Sequence, residues 1–572
     1  MAEAVKIQRP QRWDAPFSPD MTAEDVTRIL SLEPFSSMRR ENFPASASLE
    51  DIILNDTRLL KRHTGDIVFR AGDYGSSAFL VISGKVHVVV EPALPEKLLG
   101  RREVKKRSLW SSISQIWTNS KVPEARDPEK FGLVDEVKRR GFRADTRIFL
   151  QDVPGILNEH NTVVIGEGET FGEIAALGRI PRTATVFVEG DTELLEIRWQ
   201  GFRDIRSRDE AYKKHIDQIY RERGLASHLQ QTKELQCLDA PTLEEVARCT
   251  VFESYGSFDW HSSYRAMAGE SFNVRLGKEP VIVKAGDYAD HLILIRAGFC
   301  RVTENLGDGE RTVNYLGKGD SFGFEEVIHN AKHDKDVPYQ LNLRALGYVD
   351  VLVVPASAVE QHVLPNLSES ELPQPLAVDE HQNSLANIAR HSGLETDFME
   401  FMVENRFING TATMVIDTNK CVRCDDCVRA CASTHNGNPR FLRHGKQHGN
   451  HMIANACMHC VDPTCLIGCP TGAIHRSDLG GQVVINDNTC IGCGTCAASC
   501  PYHNIRLVEI NDQSGLQLVD EASQQPIRKA TKCDLCMDQL GGPACQRACP
   551  HDALHRVNMR DLGSDQDWMN QS

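Results

Sequence analysis

The chain has 572 residues and a formal net charge of −15, from 79 acidic against 64 basic side chains. That sign of surface repels phosphate backbones and argues against a nucleic-acid partner, and no apolar stretch approaches the roughly 18 residues of a membrane span. Aromatic residues make up 6 %, and neither a Rossmann glycine fingerprint nor a Walker loop occurs, so a nicotinamide, flavin or ATP site of the chain's own is not expected.

Residues 1–21 read as an N-terminal extension. Met1 opens a polar, charged stretch with no apolar h-region, so export is not expected and a cytoplasmic location with reduced thiols is. A helical lead-in, VTRILSLEPFSSM near Val26, precedes IVFRAGDYGSSAFLVISGKVHVVV from Ile67, where apolar alternation is punctuated by Gly72-Asp73 and Gly84. The plan returns in LEEVARCTVFESY near Leu243 and VIVKAGDYADHLILIRAGFCRVTE from Val281, with turns at Gly286-Asp287 and Gly298. Two copies of one β-rich module follow, over residues 22–202 and 241–360. Short strands with glycine turns suggest a jelly-roll or barrel rather than a doubly wound sheet.

An insertion over about residues 92–160 interrupts the first copy and is locally basic, with RREVKKRS from Arg101 and KRRGFR from Lys138. It reads either as a solvated segment or as a docking arm for an acidic partner. Behind it runs FGEIAALGRIPRTATV, Phe171 to Val186, which resembles the phosphate-binding cassette of cyclic nucleotide-binding domains. Gly172 permits close backbone approach, a helix starting near Glu173 offers free N–H groups, and Arg182 can grip a cyclic phosphate. The resemblance implies that Glu173 accepts the ribose 2′-hydroxyl and Arg182 neutralises the phosphate, with Thr183 and Thr185 flanking. Thr183 directly after the arginine is a feature of some cGMP-selective relatives, so cAMP and cGMP both stay open. The plainer alternative is that Glu173 and Arg182 form a structural ion pair.

The second copy departs from this pattern: Tyr339 falls where Arg182 sits, and the glycine-acid pair becomes Phe322-Gly323-Phe324-Glu325. Its phosphate clamp is missing, Arg344 belongs in the following strand, and a packing or interaction role is expected. Residues 203–240 are expected to connect the modules as an amphipathic helix with Ile205, Tyr212, Ile216, Ile219 and Tyr220 on its apolar side. Residues 361–410 carry Pro365, Pro373 and Pro375 and then helical segments around Leu385 and Phe398, ending at Asn409-Gly410. Cys237, Cys249 and Cys300 read as buried small hydrophobes.

The remaining sixteen of the nineteen cysteines lie in residues 411–560, in four runs that each close with C-x3-C. They are Cys421, Cys424, Cys427, Cys431; Cys457, Cys460, Cys465, Cys469; Cys490, Cys493, Cys496, Cys500; and Cys533, Cys536, Cys545, Cys549. Pro470, Pro501 and Pro550 follow three of the closing cysteines, as in bacterial ferredoxins, where the fourth cysteine of a run ligates the other cluster of a pair. Structural zinc and disulfides also use C-x2-C pairs, but the faultless C-x2-C-x2-C-x3-C-P of the third run favours iron–sulfur cubanes. Four runs predict two pairs, most economically the second with the third and the first with the fourth.

The motifs MVIDTNKCVRCDDCVRAC, CMHCVDPTCLIGCPTGAI, CIGCGTCAASCPYHNI and CDLCMDQLGGPACQRACPHDAL resemble the four-cluster ferredoxin-like electron-transfer subunits that accompany molybdopterin oxidoreductases of the dimethyl sulfoxide reductase type. The resemblance implies that Cys549 completes the set of Cys421, Cys424 and Cys427, and Cys431 that of Cys533, Cys536 and Cys545. Likewise Cys500 joins Cys457, Cys460 and Cys465, while Cys469 joins Cys490, Cys493 and Cys496. His435, His444, His448 and His451 lack ligand spacing and read as polar loop residues or hydrogen-bond donors that tune a cluster. Residues 561–572 are a tail.

The expected fold class is multidomain α+β: two β-roll (jelly-roll-like) cyclic nucleotide-binding modules, then a ferredoxin-like domain with four [4Fe-4S] clusters. The expected function is a cytosolic relay of single electrons within an oxidoreductase complex, regulated by a cyclic nucleotide in the first module. Catalysis falls to a partner, a flavoprotein or a molybdopterin oxidoreductase. The alternatives are a cyclic-nucleotide- and redox-responsive signalling scaffold, or a relay whose sensor modules only dock.

Overall fold

The computed structural model describes residues 4 to 559, leaving out 15, most of 92–148, 257–269, 334–336, 368–397 and some single positions. The basic stretches at Arg101 and Lys138, the helical segment around Leu385 and the tail 561–572 lie outside the described residues. The chain divides into two compact units, residues 1–217 with 409–560, and residues 218–408.

In the first unit, the lead-in helix Ala23–Leu30 starts at a capping box between Thr22 and Asp25 and buries Val26, Ile29 and Leu30, spaced for one face. Helices Leu49–Asp56 and Trp199–Arg208 join it against a sheet whose strand order is Thr57–Arg62, Thr185–Arg198, Ser77–Glu91, Asn161–Ile165. The two central strands are 15 and 14 residues long. Register shifts at Val81/Ser83 and Ser83/Lys85, beside Gly84 at φ +86°, bend the pair so that it serves both halves of a roll. Strand alternation then sorts the apolar residues. Leu80, Leu195 and Ile197 meet the helices, whereas Phe79, Val81, Val86 and Val188 fill the roll with Phe171.

The second unit holds the other β-roll as two four-stranded sheets. One runs Ser321–Phe322, His291–Ala297, Val349–Pro355, Val251–Tyr255; the other runs Gly309–Leu316, Cys300–Leu306, Asn342–Ala345, Val281–Val283. A close hairpin, Cys300–Leu306 with Gly309–Leu316, stands where the first module carries its insertion between Glu91 and Asn161. Arg344 lies in a strand and pairs with Glu310, as expected of a residue outside the cassette.

Three sequence expectations need correction. The connector between the modules is not one helix: Trp199–Arg208 stops and Glu210–Gln230 starts afresh across Asp209, whose backbone is extended (φ −114°, ψ 110°) and whose carboxylate accepts from Tyr212 N at 2.7 Å. Ile205, Tyr212 and Ile216 are nonetheless buried. Cys237 and Cys249 are exposed, because the first lies in a turn and the second ends the helix Ala240–Cys249; only Cys300 is buried.

The cysteine-rich part of the first unit is built from short pieces. Its largest sheet orders Leu442–His448, His451–Asn455, Thr413–Asp417, Leu554–Val557, and two-stranded ribbons pair Ile474–Arg476 with Val483–Ile485 and Arg506–Glu509 with Arg528–Thr531. The strand Val5–Ile7 pairs in parallel with Leu518–Asp520, and Arg9 donates to Asp520 Oδ1 at 3.0 Å and to the carbonyl of Ile491. The described part of the insertion also lies against this region: Arg126 pairs with Asp487 at 2.7 Å, its backbone N–H donates to the Asn511 carbonyl, and Asn511 N donates to that of Glu124.

Candidate functional sites

All four cysteine runs share one backbone device. The residue before the second cysteine is left-handed in every run: Arg423 (φ +61°), His459 (+51°), Gly492 (+67°) and Leu535 (+60°). A single left-handed residue between cysteines reverses the winding of the chain, so the flanking thiols face a common centre. For the three non-glycine residues this costs about 1–2 kcal/mol each, a local strain held by the surrounding packing. In the first and third runs a second left-handed residue, Asp425 or Gly494, caps the helix that carries the third cysteine.

The thiols gather into four groups. Cys469, Cys490, Cys493 and Cys496 line one cavity, with Pro470, Ile474, Ile485 and Ala530 as its apolar wall. Cys457, Cys460, Cys465 and Cys500 line a second, with Met458, Pro463 and Ile505. Burial and the neighbouring Cys421 and Cys549 push the Cys427 thiol up to about 11, against the pull of the Val428 N–H and Arg443. Burial, with Cys533, Cys431 and Cys536 close by, pushes the Cys545 thiol up to about 12, and Cys496 is raised likewise to about 12 by burial and by Cys490, Cys469 and Cys493. Four crowded thiols in apolar walls resist ionising together. Iron supplies the positive charge that makes such a set ionise, so the donors fit a cubane: sulfur-only, four in three of the groups and three (Cys421, Cys427 and Cys549) in the other, with the closing cysteine of each run beside the other run of its pair.

Around the sulfurs the backbone and three cations are aimed inward. Arg440 N donates to Cys431 Sγ at 3.2 Å, Ala553 N to Cys549 Sγ at 3.4 Å and the Arg556 guanidinium to Cys533 Sγ at 3.1 Å. Lys529, fully buried, donates to the carbonyls of Asp487 and Cys490, and buried Lys532 to that of Cys533. These cations carry little mark in the sequence beyond the KATKC spacing ahead of Cys533. His435 is a hydrogen-bonding residue as expected: its ring reaches Asp534 Oδ1 at 3.0 Å and the Cys431 carbonyl at 2.6 Å. It converges with Asp534 and Cys536 within 4.8 Å; burial works against its charge, but hydrogen bonds to Asp534 and the two sulfurs push its pKa above the usual imidazole range.

At the cassette of the first module, Gly172 is left-handed (φ +77°) and a Cβ there would come within 2.8 Å of Arg182 Nη1. Arg182 is 5 % exposed and donates to the carbonyls of Gly172 and Ser77, each at 2.8 Å, with its guanidinium 4.3 Å from the Phe69 ring centre. Glu173 is 1 % exposed, and its charge adds to burial in pushing the Tyr212 phenol up. Thr183 is exposed, whereas Thr185 is buried and accepts from Ala71 N at 3.0 Å. Arg182 and Glu173 are thus both buried in the cassette.

The second module repeats the frame without the charge. Gly72 N donates to the Arg182 carbonyl and Arg182 N to that of Asp73; Gly286 N and Tyr339 N make the same two bonds with Tyr339 and Asp287. Tyr339 therefore occupies the arginine position, its hydroxyl donating to the His291 carbonyl at 2.5 Å and its ring stacked on Phe322. Phe324 takes the place of Glu173.

Comparison with known proteins agrees with both halves. Residues 155–209 and 273–364 match the cyclic nucleotide-binding domain family, and residues 449–559, which hold the last three cysteine runs, match the 4Fe-4S dicluster domain. The chain is 35 % identical to the electron transport protein HydN of Escherichia coli over 28 % of its own length and 91 % of that protein. It is 31 % identical to formate hydrogenlyase subunit 2 of the same organism, over 28 % of this chain and 84 % of the subunit. A third relative, AegA of Escherichia coli, is 33 % identical over 27 % of this chain, and the chain spans only 22 % of that longer protein. The protein thus joins cyclic nucleotide-binding β-rolls to an iron–sulfur electron-transfer domain. Among the described residues no helix is long and apolar enough to cross a membrane.

Proposed function

We propose, for a chain that belongs through its last third to the family of 4Fe-4S dicluster electron-transport proteins, that it relays single electrons through four [4Fe-4S] clusters in the cytoplasm, under control of a cyclic nucleotide bound in the first module. The observation that carries the reading is the gathering of fifteen of the sixteen cysteines into four sulfur groups, the last of each run lying with its partner run, and Cys424 would complete the set of Cys421, Cys427 and Cys549. The ligand sets are Cys421, Cys424, Cys427, Cys549; Cys431, Cys533, Cys536, Cys545; Cys457, Cys460, Cys465, Cys500; and Cys469, Cys490, Cys493, Cys496. Bound clusters supply one-electron redox chemistry. The chain's own residues orient the thiolates, exclude water with apolar walls and set the local charge through Arg556, Lys529 and Lys532.

Both cavities described are lined by the cysteine runs, and chemistry on a substrate would fall to a catalytic partner, a flavoprotein or a molybdopterin oxidoreductase. The names of the relatives, an electron transport protein and a hydrogenlyase subunit, support a subunit role of this kind. Control falls to residues 22–202, where Gly172, Glu173, Arg182 and Thr183 would hold the nucleotide; the module at 241–360, with Tyr339 in the clamp position, would hold none.

Anaerobic purification with iron and sulfide assay tests the relay, with about sixteen irons per chain expected. Calorimetric titration with cAMP and cGMP tests the module: one site per chain is expected, unchanged in Tyr339→Ala. Arg556→Leu should leave the iron count intact yet lower the midpoint potential of the cluster at Cys533. Losing one charge-assisted bond to sulfur corresponds to about 60 mV for a one-electron couple, within reach of an EPR-monitored redox titration.

A further inference from the structure

Gly75 lies against the guanidinium of Arg182, where a Cβ would come within 2.7 Å of Nη2. Its neighbour Tyr74 faces the other way, onto the cysteine-rich part of the same compact unit. A Cβ on Gly481 would come within 2.2 Å of the Tyr74 ring, and the Arg476 guanidinium lies 5.0 Å from the ring centre. Arg476 in turn donates to the carbonyls of Gly481, Cys460 and Val461, all at 2.7 Å. Cys460 is one of the four thiols of the cavity that also holds Cys457, Cys465 and Cys500. Direct contacts therefore run without a gap from the phosphate-site arginine, through one turn, to the peptide of a cluster ligand.

Each contact has a reason to respond to the one before it. An anion at Gly172 competes for the guanidinium that now serves the carbonyls of Gly172 and Ser77, and Arg182 cannot turn without altering the support under Gly75. Tyr74 follows Gly75, and its ring face holds the Arg476 cation. A cation bound at the Cys460 loop favours the more negative, reduced cluster, so displacing Arg476 lowers the potential there.

We propose that Tyr74 and Arg476 are positioning residues that couple the nucleotide site to the cluster of Cys457, Cys460, Cys465 and Cys500, so that nucleotide affinity depends on whether that cluster is reduced. The coupling rests on the nucleotide and cluster reading given under Proposed function. Linkage requires it to be reciprocal: whatever factor reduction imposes on nucleotide affinity, the nucleotide imposes on the reduction equilibrium.

The test uses the full, cluster-loaded chain, held oxidised or reduced with dithionite and titrated with fluorescent cAMP and cGMP. Reduction should change the affinity of the better-bound nucleotide by about fivefold or more, equivalent to about 41 mV in a one-electron couple. The ratio should collapse towards one in Tyr74→Ala and Arg476→Gln and return in Tyr74→Phe, which keeps the ring. Equal affinities in the two states of the wild type, or an undiminished ratio in Tyr74→Ala, would overturn the coupling.

Failure of both nucleotides to bind would end the regulatory reading alone, and the contact chain is then tested without ligand. The midpoint potential of the cluster, assigned by its loss in Cys460→Ala, is compared in the wild type, Arg182→Ala, Tyr74→Ala and the double variant. Non-additive shifts support the relay and additive ones overturn it. Iron content and EPR spin counts accompany every variant, and Tyr74→Leu stands in should Tyr74→Ala lose its iron.

Discussion

Cys469→Ala should empty the site at Cys490, Cys493 and Cys496 and spare the one built from its own run. Cys469 lines the cavity of the third-run cysteines, while Cys457, Cys460 and Cys465 share theirs with Cys500. One cluster fewer brings iron from about sixteen to about twelve per chain. The EPR component that disappears should be the one lost in Cys493→Ala, and Cys500→Ala should mirror it by removing the component lost in Cys465→Ala. If Cys469→Ala and Cys465→Ala instead erase the same component, the crossed assignment fails. Because a cluster that binds the folded chain adds its binding free energy to folding, each variant should also lose thermal stability with the cluster it drops.

Arg182→Ala should weaken nucleotide binding by about a hundredfold. A charge-assisted hydrogen bond to phosphate is worth about 1.5–3 kcal/mol, and a guanidinium fork offers two, so even partial use in the complex reaches that range. The same change costs stability in the absence of ligand. The carbonyls of Gly172 and Ser77 lose a buried donor, at about 1–3 kcal/mol, and the Phe69 ring loses its cation. Arg182→Lys separates the two effects, since it keeps the charge and loses the fork. Fluorescence anisotropy reads the affinity and thermal denaturation the stability; wild-type affinity in Arg182→Ala would place the nucleotide elsewhere.

The proposed cluster ligands are legible in the chain because cubane chemistry fixes their spacing. Three sulfurs from one short run can share a cluster only at close spacing, so the four cysteine runs stand out, while the fourth sulfur comes from a partner run; and two copies of one module let Tyr339 be matched to Arg182 by laying one copy on the other. Other features carry no such signature. Nothing in a single sequence marks Arg423, His459 or Leu535 as left-handed, because side chains of that kind adopt it only under tertiary pressure. Lys529 and Lys532 look like surface lysines until the loops that bury them are assembled. The break at Asp209 is masked by apolar spacing that continues across it, and the inward turn of Arg182 and Glu173 depends on packing that a cassette motif does not encode. The exposure of Cys237 and Cys249 shows the same limit, since residue type alone does not decide burial.

The pairing of Val5–Ile7 with Leu518–Asp520 has a consequence for the order of synthesis. Arg9 and Asp520 are 511 residues apart, so at translation rates of roughly 5–20 residues per second the opening strand waits about half a minute to two minutes for its mate. Until the ribosome delivers that late segment, an unpaired β edge is left open to strangers, a period in which a chaperone or an early-binding subunit has the most to protect.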